Sequence, residues 1–219
     1  MSDSQTIRSR QTIKLKVDEN NPLPVNTSEN FRKEVEKLIE IAGWAPFHYE
    51  CNSYYQEGDL NGKEPWRFHV LDSQTCRDLL EMLKKDIPVK STEGIKQMLA
   101  AADALILVNW LPEPSSRTQK FYPNVKNMEH IAATGAAIQN LLLMATEKGI
   151  INYWSSGGIL RKPAVQKLLG ISLDEILLGA VFLFPDPDDV EAEVITGKNR
   201  EMRSTSEKWM EWVSVKGKS

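Results

Sequence analysis

Apolar positions recur along this chain in two rhythms, a helical one of three to four residues and a nearly continuous one over short runs. The longest stretch, Met128 to Gly158, combines them. MEHIAATGAAIQNLLLMATEKG has Met128, Ile131, Gly135, Ile138, Leu142 and Ala145 on one helical face. The opposite face is hardly more polar, interrupted only by Thr134, Gln139 and Asn140. Such a helix is expected to be buried on all sides, which makes it the central helix and a candidate subunit interface. It runs into the tight, small-residue segment INYWSSGG.

A second helix is predicted over FRKEVEKLIEIAGWA, capped by Ser28 or Asn30 and ended by Pro46. SQTCRDLLEMLKKDI and the first half of KSTEGIKQMLAAADALILVNW read as helices. KPAVQKLLG reads as another, with Pro163 in its first turn. WRFHVLD alternates as a strand. ALILVNW and ILLGAVFLFP are apolar throughout and predict strands buried on both faces. Four or five helices among three or four strands give an α+β class. The first six residues read as a frayed start and DENNPLPVNTSEN as a loop. PFHYECNSYYQEGDLNGKEP is too long for a plain connector, so it is disordered or functional. The end of the chain reads as a polar tail with a Trp209, Met210 and Trp212 cluster. No repeat divides the 219 residues, which suit one domain.

Composition narrows the function. A formal charge of −3 offers no electrostatic reason for a nucleic-acid or anionic-membrane partner. No apolar run is long enough for a membrane span, and the polar first residues carry no leader pattern. Two cysteines, Cys51 and Cys76, are too few for a disulfide scaffold and fit a reducing, cytoplasmic setting. The histidines at 48, 69 and 130 are scattered, without metal-ligand spacing. The phosphate-loop, GxGxxG and GxSxG signatures are missing. An enzyme with this sequence would take its chemistry from a cofactor. The basic run IRSRQTIKLK reads either as a solvated helical turn or as an anion site, since Arg with Ser/Thr supplies charge and donors to a phosphate.

Several separated motifs together resemble the FMN-dependent nitroreductase family, in its branch of small nitroreductases. Arg10-Gln11-Thr12-Ile13-Lys14 is similar to that family's basic opening. Gly43-Trp44-Ala45-Pro46 resembles its A-P turn, and Glu64-Pro65-Trp66-Arg67-Phe68 its Q-P-W-x-F strand start. Ala136 to Leu143 resembles its central helix. Lys148-Gly149-Ile150 with Trp154-Ser155-Ser156-Gly157 resembles the small branch's W-x-S/T-G segment.

The resemblance covers roughly residues 7–200 and leaves 201–219 as a C-terminal tail. It implies a single FMN-binding domain with a central, mainly antiparallel sheet flanked by helices. It also implies a homodimer with FMN at the interface, in contact with both subunits. Arg10, Gln11 and Thr12 would hold the phosphate and nearby ribityl oxygens, and Lys14 the pyrimidine edge. Lys198 and Arg200, in GKNR, match a late motif set against the phosphate; their other reading is a solvated basic patch. His48 and Glu64 occupy flavin-contacting positions, and Ser155, Ser156 and Gly157 would lie beside the isoalloxazine. That trio reads equally as a tight turn.

Two departures stand out: about ten extra residues within Tyr49–Gly62, and Glu64 where the family has Gln. Beside the flavin, Glu64 would need a proton or a partner such as Lys63 or Arg67. The implied activity is hydride transfer from NADH or NADPH through FMN to a nitroaromatic, quinone or enone in two half-reactions. Phe47, Tyr49, Phe121 and Tyr122 are candidates for an aromatic wall around the acceptor. The alternatives are a flavin-binding carrier, sensor or interaction protein without nicotinamide turnover, and a flavin-free dimer.

Overall fold

The computed structural model describes residues 3–86, 93–113 and 124–214. Among the described residues, six α-helices and six strands follow one another. They are α1 (Asp3–Ser9), β1 (Ile13–Lys16), α2 (Glu29–Ala42), β2 (Trp66–Asp72), α3 (Ser73–Asp86) and α4 (Glu93–Ala101). After them come β3 (Ala104–Trp110), α5 (Val125–Glu147), β4 (Ile151–Ser155), α6 (Pro163–Leu168), β5 (Ile176–Phe184) and β6 (Glu193–Thr196).

Four strands form an antiparallel sheet in the order β2-β3-β5-β4. All seven residues of β3 are buried, as their apolar run predicts. Alternation sends Ala104, Ile106 and Val108 to one face, where α2 and α5 supply Val35, Leu38, Ile138, Leu141 and Leu142. Leu105 and Leu107 go to the other face, against Leu79, Leu80 and Leu83 of α3 and Met98 and Leu99 of α4. Each fully buried large side chain here, such as Ile106, Leu107 or Phe182, contributes about 1.5–3 kcal/mol relative to exposure. The result is a sheet between two helical layers. Among the described residues, no helix is long and apolar enough to cross a membrane.

Four sequence expectations need correction. Of the first six residues, read as a frayed start, 3–6 belong to α1 and Thr6 is buried, while 1–2 lie outside the described residues. The basic run divides into the end of α1, a turn and strand β1. The polar tail contains β6, which pairs antiparallel with β1 in a separate ribbon (Lys14 opposite Ile195). Helix α5 is not buried on all sides. Its inner stripe runs through Asn127, His130, Ala133, Thr134, Ala137, Ile138, Leu141, Leu142 and Ala145. Val125 and Met128 lie exposed on the outside. Thr134, read as a polar interruption, is fully buried because its Oγ1 donates to His130 O at 2.7 Å.

Helix starts follow local chemistry. Ser28 Oγ caps α2 by accepting from Phe31 N. Asp72 Oδ1 accepts from Thr75 N at 2.8 Å at the head of α3. That bond and the Thr75 hydroxyl hold the Asp72 carboxyl below the ordinary carboxylate range. A depressed folded-state pKa means the stabilisation is present at neutral pH. It is lost as pH falls below about 4, through the folded value. Asp72→Ala should therefore cost about 1 kcal/mol at pH 7 and much less at pH 3, read from denaturant unfolding at both pH values.

Candidate functional site

The β1–β6 ribbon builds a cationic cavity. Gly197 N donates to Thr12 O at 2.8 Å, which continues the pairing one step beyond the strands. The approach is close: a Cβ on Gly197 would lie 2.9 Å from Thr12 Cβ, so only glycine fits without movement. The turn after α1 thereby faces the turn after β6. Arg10, Gln11, Thr12, Lys198, Asn199 and Arg203 line a cavity of about 240 Å³ between them, with Arg200 at its side.

The guanidinium of Arg200 donates to the carbonyls of Arg8 (2.6 Å), Ser9 (3.3 Å) and Arg10 (2.9 Å). Arg200 thus clasps the end of α1 and fixes the Arg10 turn. Burial, followed by the like charges of Arg203 and Arg200, pulls the Arg10 pKa below its ordinary value. Among the described residues, no carboxylate forms an ion pair with any of these arginines or with Lys198. A concentration of cations without an acidic partner is chemically suited to an anion. Of the two readings of the basic run, the anion site therefore fits this geometry. Arg203 escaped the sequence reading, although it follows Arg200 by one turn's spacing.

Lys14 connects this cavity to a second group of candidates. Its ammonium stands 5.5 Å from the ring centre of Tyr153 in β4. Two residues beyond Tyr153, β4 ends in the Ser155-Ser156-Gly157 turn. Ser155 is buried and its Oγ accepts from Gly157 N at 3.1 Å, whereas Ser156 is exposed. Gly157 has φ +98°, and a Cβ there would come 2.7 Å from Leu177 Cδ2 and 3.4 Å from Arg161 Cγ. Arg161 is a second residue that the sequence did not reveal. It donates to the carbonyls of Ser156, Leu177 and Leu178, the last at 2.9 Å, and burial lowers its pKa.

His48 and Glu64 do not join these groups within the chain, since neither lines the cationic cavity. His48 is exposed. The Glu64 carboxylate lies against Gly62, with Oε2 2.5 Å from the position a Cβ would take. The partners suggested for it are engaged elsewhere. Lys63 pairs with Glu50 at 3.1 Å. Arg67, buried, donates to the carbonyls of Trp66 (2.7 Å), Tyr55 (2.8 Å), Gly62 (2.9 Å) and Glu64 (3.1 Å).

Arg67 also resolves the nature of the insertion, which is an ordered loop. Its neck is closed by Cys51 N to Lys63 O at 2.9 Å. Its tip docks through Tyr54 Oη to Asp174 Oδ2 at 2.6 Å and Tyr55 Oη to Pro112 O at 3.0 Å. The bond to Asp174 raises the Tyr54 pKa, and burial raises that of Tyr55. Behind this contact, Glu175 takes bonds from His69 (2.7 Å) and Asn109 (2.8 Å). Of the aromatic-wall candidates, Phe47 packs edge-on against Trp66 at 5.6 Å and Tyr49 is exposed. Phe121 and Tyr122 lie outside the described residues.

Two stability predictions follow from these contacts. Gly157→Ala combines a positive φ with a steric overlap and should cost about 1–3 kcal/mol in urea unfolding. Arg67→Met removes hydrogen bonds to four carbonyls and should cost at least about 2 kcal/mol. The Arg67 change should also raise amide exchange within residues 51–63 before the sheet opens.

The comparisons with known proteins cover most of the chain, and the family match includes Arg10–Lys14 and Ser155–Gly157 but stops before Gly197–Arg203. The model of the nitroreductase family matches residues 7–183. A Bacillus subtilis protein that carries the name of an NAD(P)H nitroreductase, YfhC, is 28% identical over 177 residues, covering 77% of this chain and 76% of that one. The crystal structure of a nitroreductase-like family protein from Bacillus cereus superposes with a TM-score of 0.67. It is 20% identical and covers 98% of this chain and 97% of its own. A nitroreductase with bound FMN from Bacteroides fragilis gives 0.53 at 16% identity, over 88% and 92% of the two chains. At such identities the structural likenesses speak for the fold. With the family match spanning most of its length, the chain belongs to the nitroreductase family.

Proposed function

We propose that the chain is an FMN-dependent NAD(P)H oxidoreductase acting as a homodimer in the cytoplasm, with residues 7–200 as one flavin-binding domain. The observation that carries this reading is the cationic cavity, whose donor set suits the phosphate of FMN. Arg10, Lys198 and Arg203 supply charge, and the Thr12 hydroxyl and Gln11 amide supply neutral donors. Arg200 serves by holding the Arg10 turn. Lys14, steadied over Tyr153, would reach the pyrimidine edge, where its charge favours a reduced ring. Ser155, Ser156 and Gly157 would line the ring with small groups.

The outer stripe of α5 and the exposed Trp209 and Trp212 leave apolar surface that a second copy would cover. The partner would then bring His48 and Glu64 to the flavin, which accounts for their separation from the cavity in one chain. Bound FMN supplies reversible hydride acceptance, from NADH or NADPH and then to a nitroaromatic, quinone or enone. The protein positions, desolvates and supplies charge. Cys51 and Cys76 take no part: both are free and buried, and burial pushes the Cys76 thiol up to about 12.

The test is an absorbance spectrum with FMN, followed by NADH or NADPH without oxygen. Flavin bands that bleach are expected. Bands that persist would favour the carrier or sensor, and no flavin binding would reject the reading. Arg10→Ala should weaken FMN by about 1.5–3 kcal/mol, roughly ten- to a hundredfold, and leave riboflavin unaffected.

A further inference from the structure

Strand β4 ends early, and its ending exposes a structural problem. The last β4–β5 pair is Ser155 opposite Ala180, whereas β5 continues back to Ile176 with only β3 beside it. The carbonyls of Leu177 and Leu178 therefore have no β4 partner. Pairing also shifts here, between Val108 and Asn109. Successive carbonyls of a regular strand point to opposite edges; this irregularity lets both reach one group. That group is the Arg161 guanidinium, whose remaining Nε–H goes to Ser156 O. One side chain thus bridges the turn after β4 to the strand it has left. It also occupies, with Leu177, the space beside Gly157. Gly157 N–H is already taken by Ser155 Oγ, which leaves the Ser156 carbonyl to be held by Arg161.

We propose that Arg161 is a positioning residue that locks the Ser155–Gly157 turn into the shape that receives the flavin ring, an inference resting on the FMN reading above. The fork suits the task because it presents several N–H groups in one plane, directed at three carbonyls. A lysine retains the charge and cannot span all three. The residue acts at the ring end, remote from the phosphate cavity, and this distinguishes it from Arg10 and Arg203.

The experiment compares the affinities of wild type, R161M, R161K and R10A for FMN and for riboflavin, by flavin fluorescence, alongside thermal melting of each variant. R161M is expected to weaken both flavins alike, about tenfold, and to alter the visible band shape of the bound flavin. R161K should lie between R161M and wild type, and R10A should affect FMN alone. Three results would overturn the assignment. One is wild-type affinity in R161M. Another is loss of FMN with riboflavin spared. The third is failure of both Arg161 variants to fold, which would make the residue simply a support of the fold. If the wild type binds neither flavin, the cofactor reading itself fails and this inference with it.

Discussion

A main-chain carbonyl withdrawn from water needs a donor, and outside helices and sheets nothing supplies one automatically. In this protein arginine repeatedly meets that requirement. Arg67 gathers the carbonyls of the insertion and the β2 entry. Arg77 binds those of Leu23, Leu99 and Ala102, joining the long loop before α2 to the end of α4. Arg161 and Arg200 do the same for the β4 turn and the end of α1. The sheet and its helical layers are held by their own ladders and core; these four forks help to tie down the segments between them. A guanidinium bonded to carbonyls keeps its full charge, because a carbonyl carries no net charge to offset it. The loops nearest the candidate site are therefore both fixed and electropositive.

This arrangement explains which parts of the structure the sequence disclosed. Helices α2, α3 and α6 and strands β3 and β5 were legible because periodicity or unbroken apolarity records their burial directly. β1 and β6 were not. Each is four residues long and partly polar, and they meet across some 180 positions of chain. For α5 the helix was plain but its inward face was not, since apolar residues surround the axis and pattern alone could not choose between the two sides. The order within 49–62 was equally hidden, because it depends on carbonyls, which every residue carries, and on Arg67, which looks like any strand residue.

The candidate site was legible in similar proportion. Arg10, Gln11, Thr12, Lys198 and Arg200 came from the resemblance to the family's motifs, and the ribbon brings them together around one cavity. The distinction between Arg200 and Arg203 could not be read. Both are basic residues in the same turn, and only the folded chain shows Arg200 turned onto the backbone while Arg203 adds its charge to that of Arg10. Arg161 was likewise passed over, because it falls between WSSGG and the predicted KPAVQKLLG helix, and only the fold shows its side chain turned onto the preceding turn.

The neck of the insertion has an evolutionary meaning. Cys51 and Lys63 are hydrogen-bonded neighbours, so the segment between them leaves and re-enters the fold at one point. A segment closed in that way can be lengthened, shortened or exchanged while its surroundings stay in register, because the entropy of closing a loop grows only slowly with its length. The attachments at that neck are made to main-chain atoms and place few demands on the side chains inserted. Its length can thus change with little effect on the sheet beneath it, while Tyr54 and Tyr55 set where this particular loop docks.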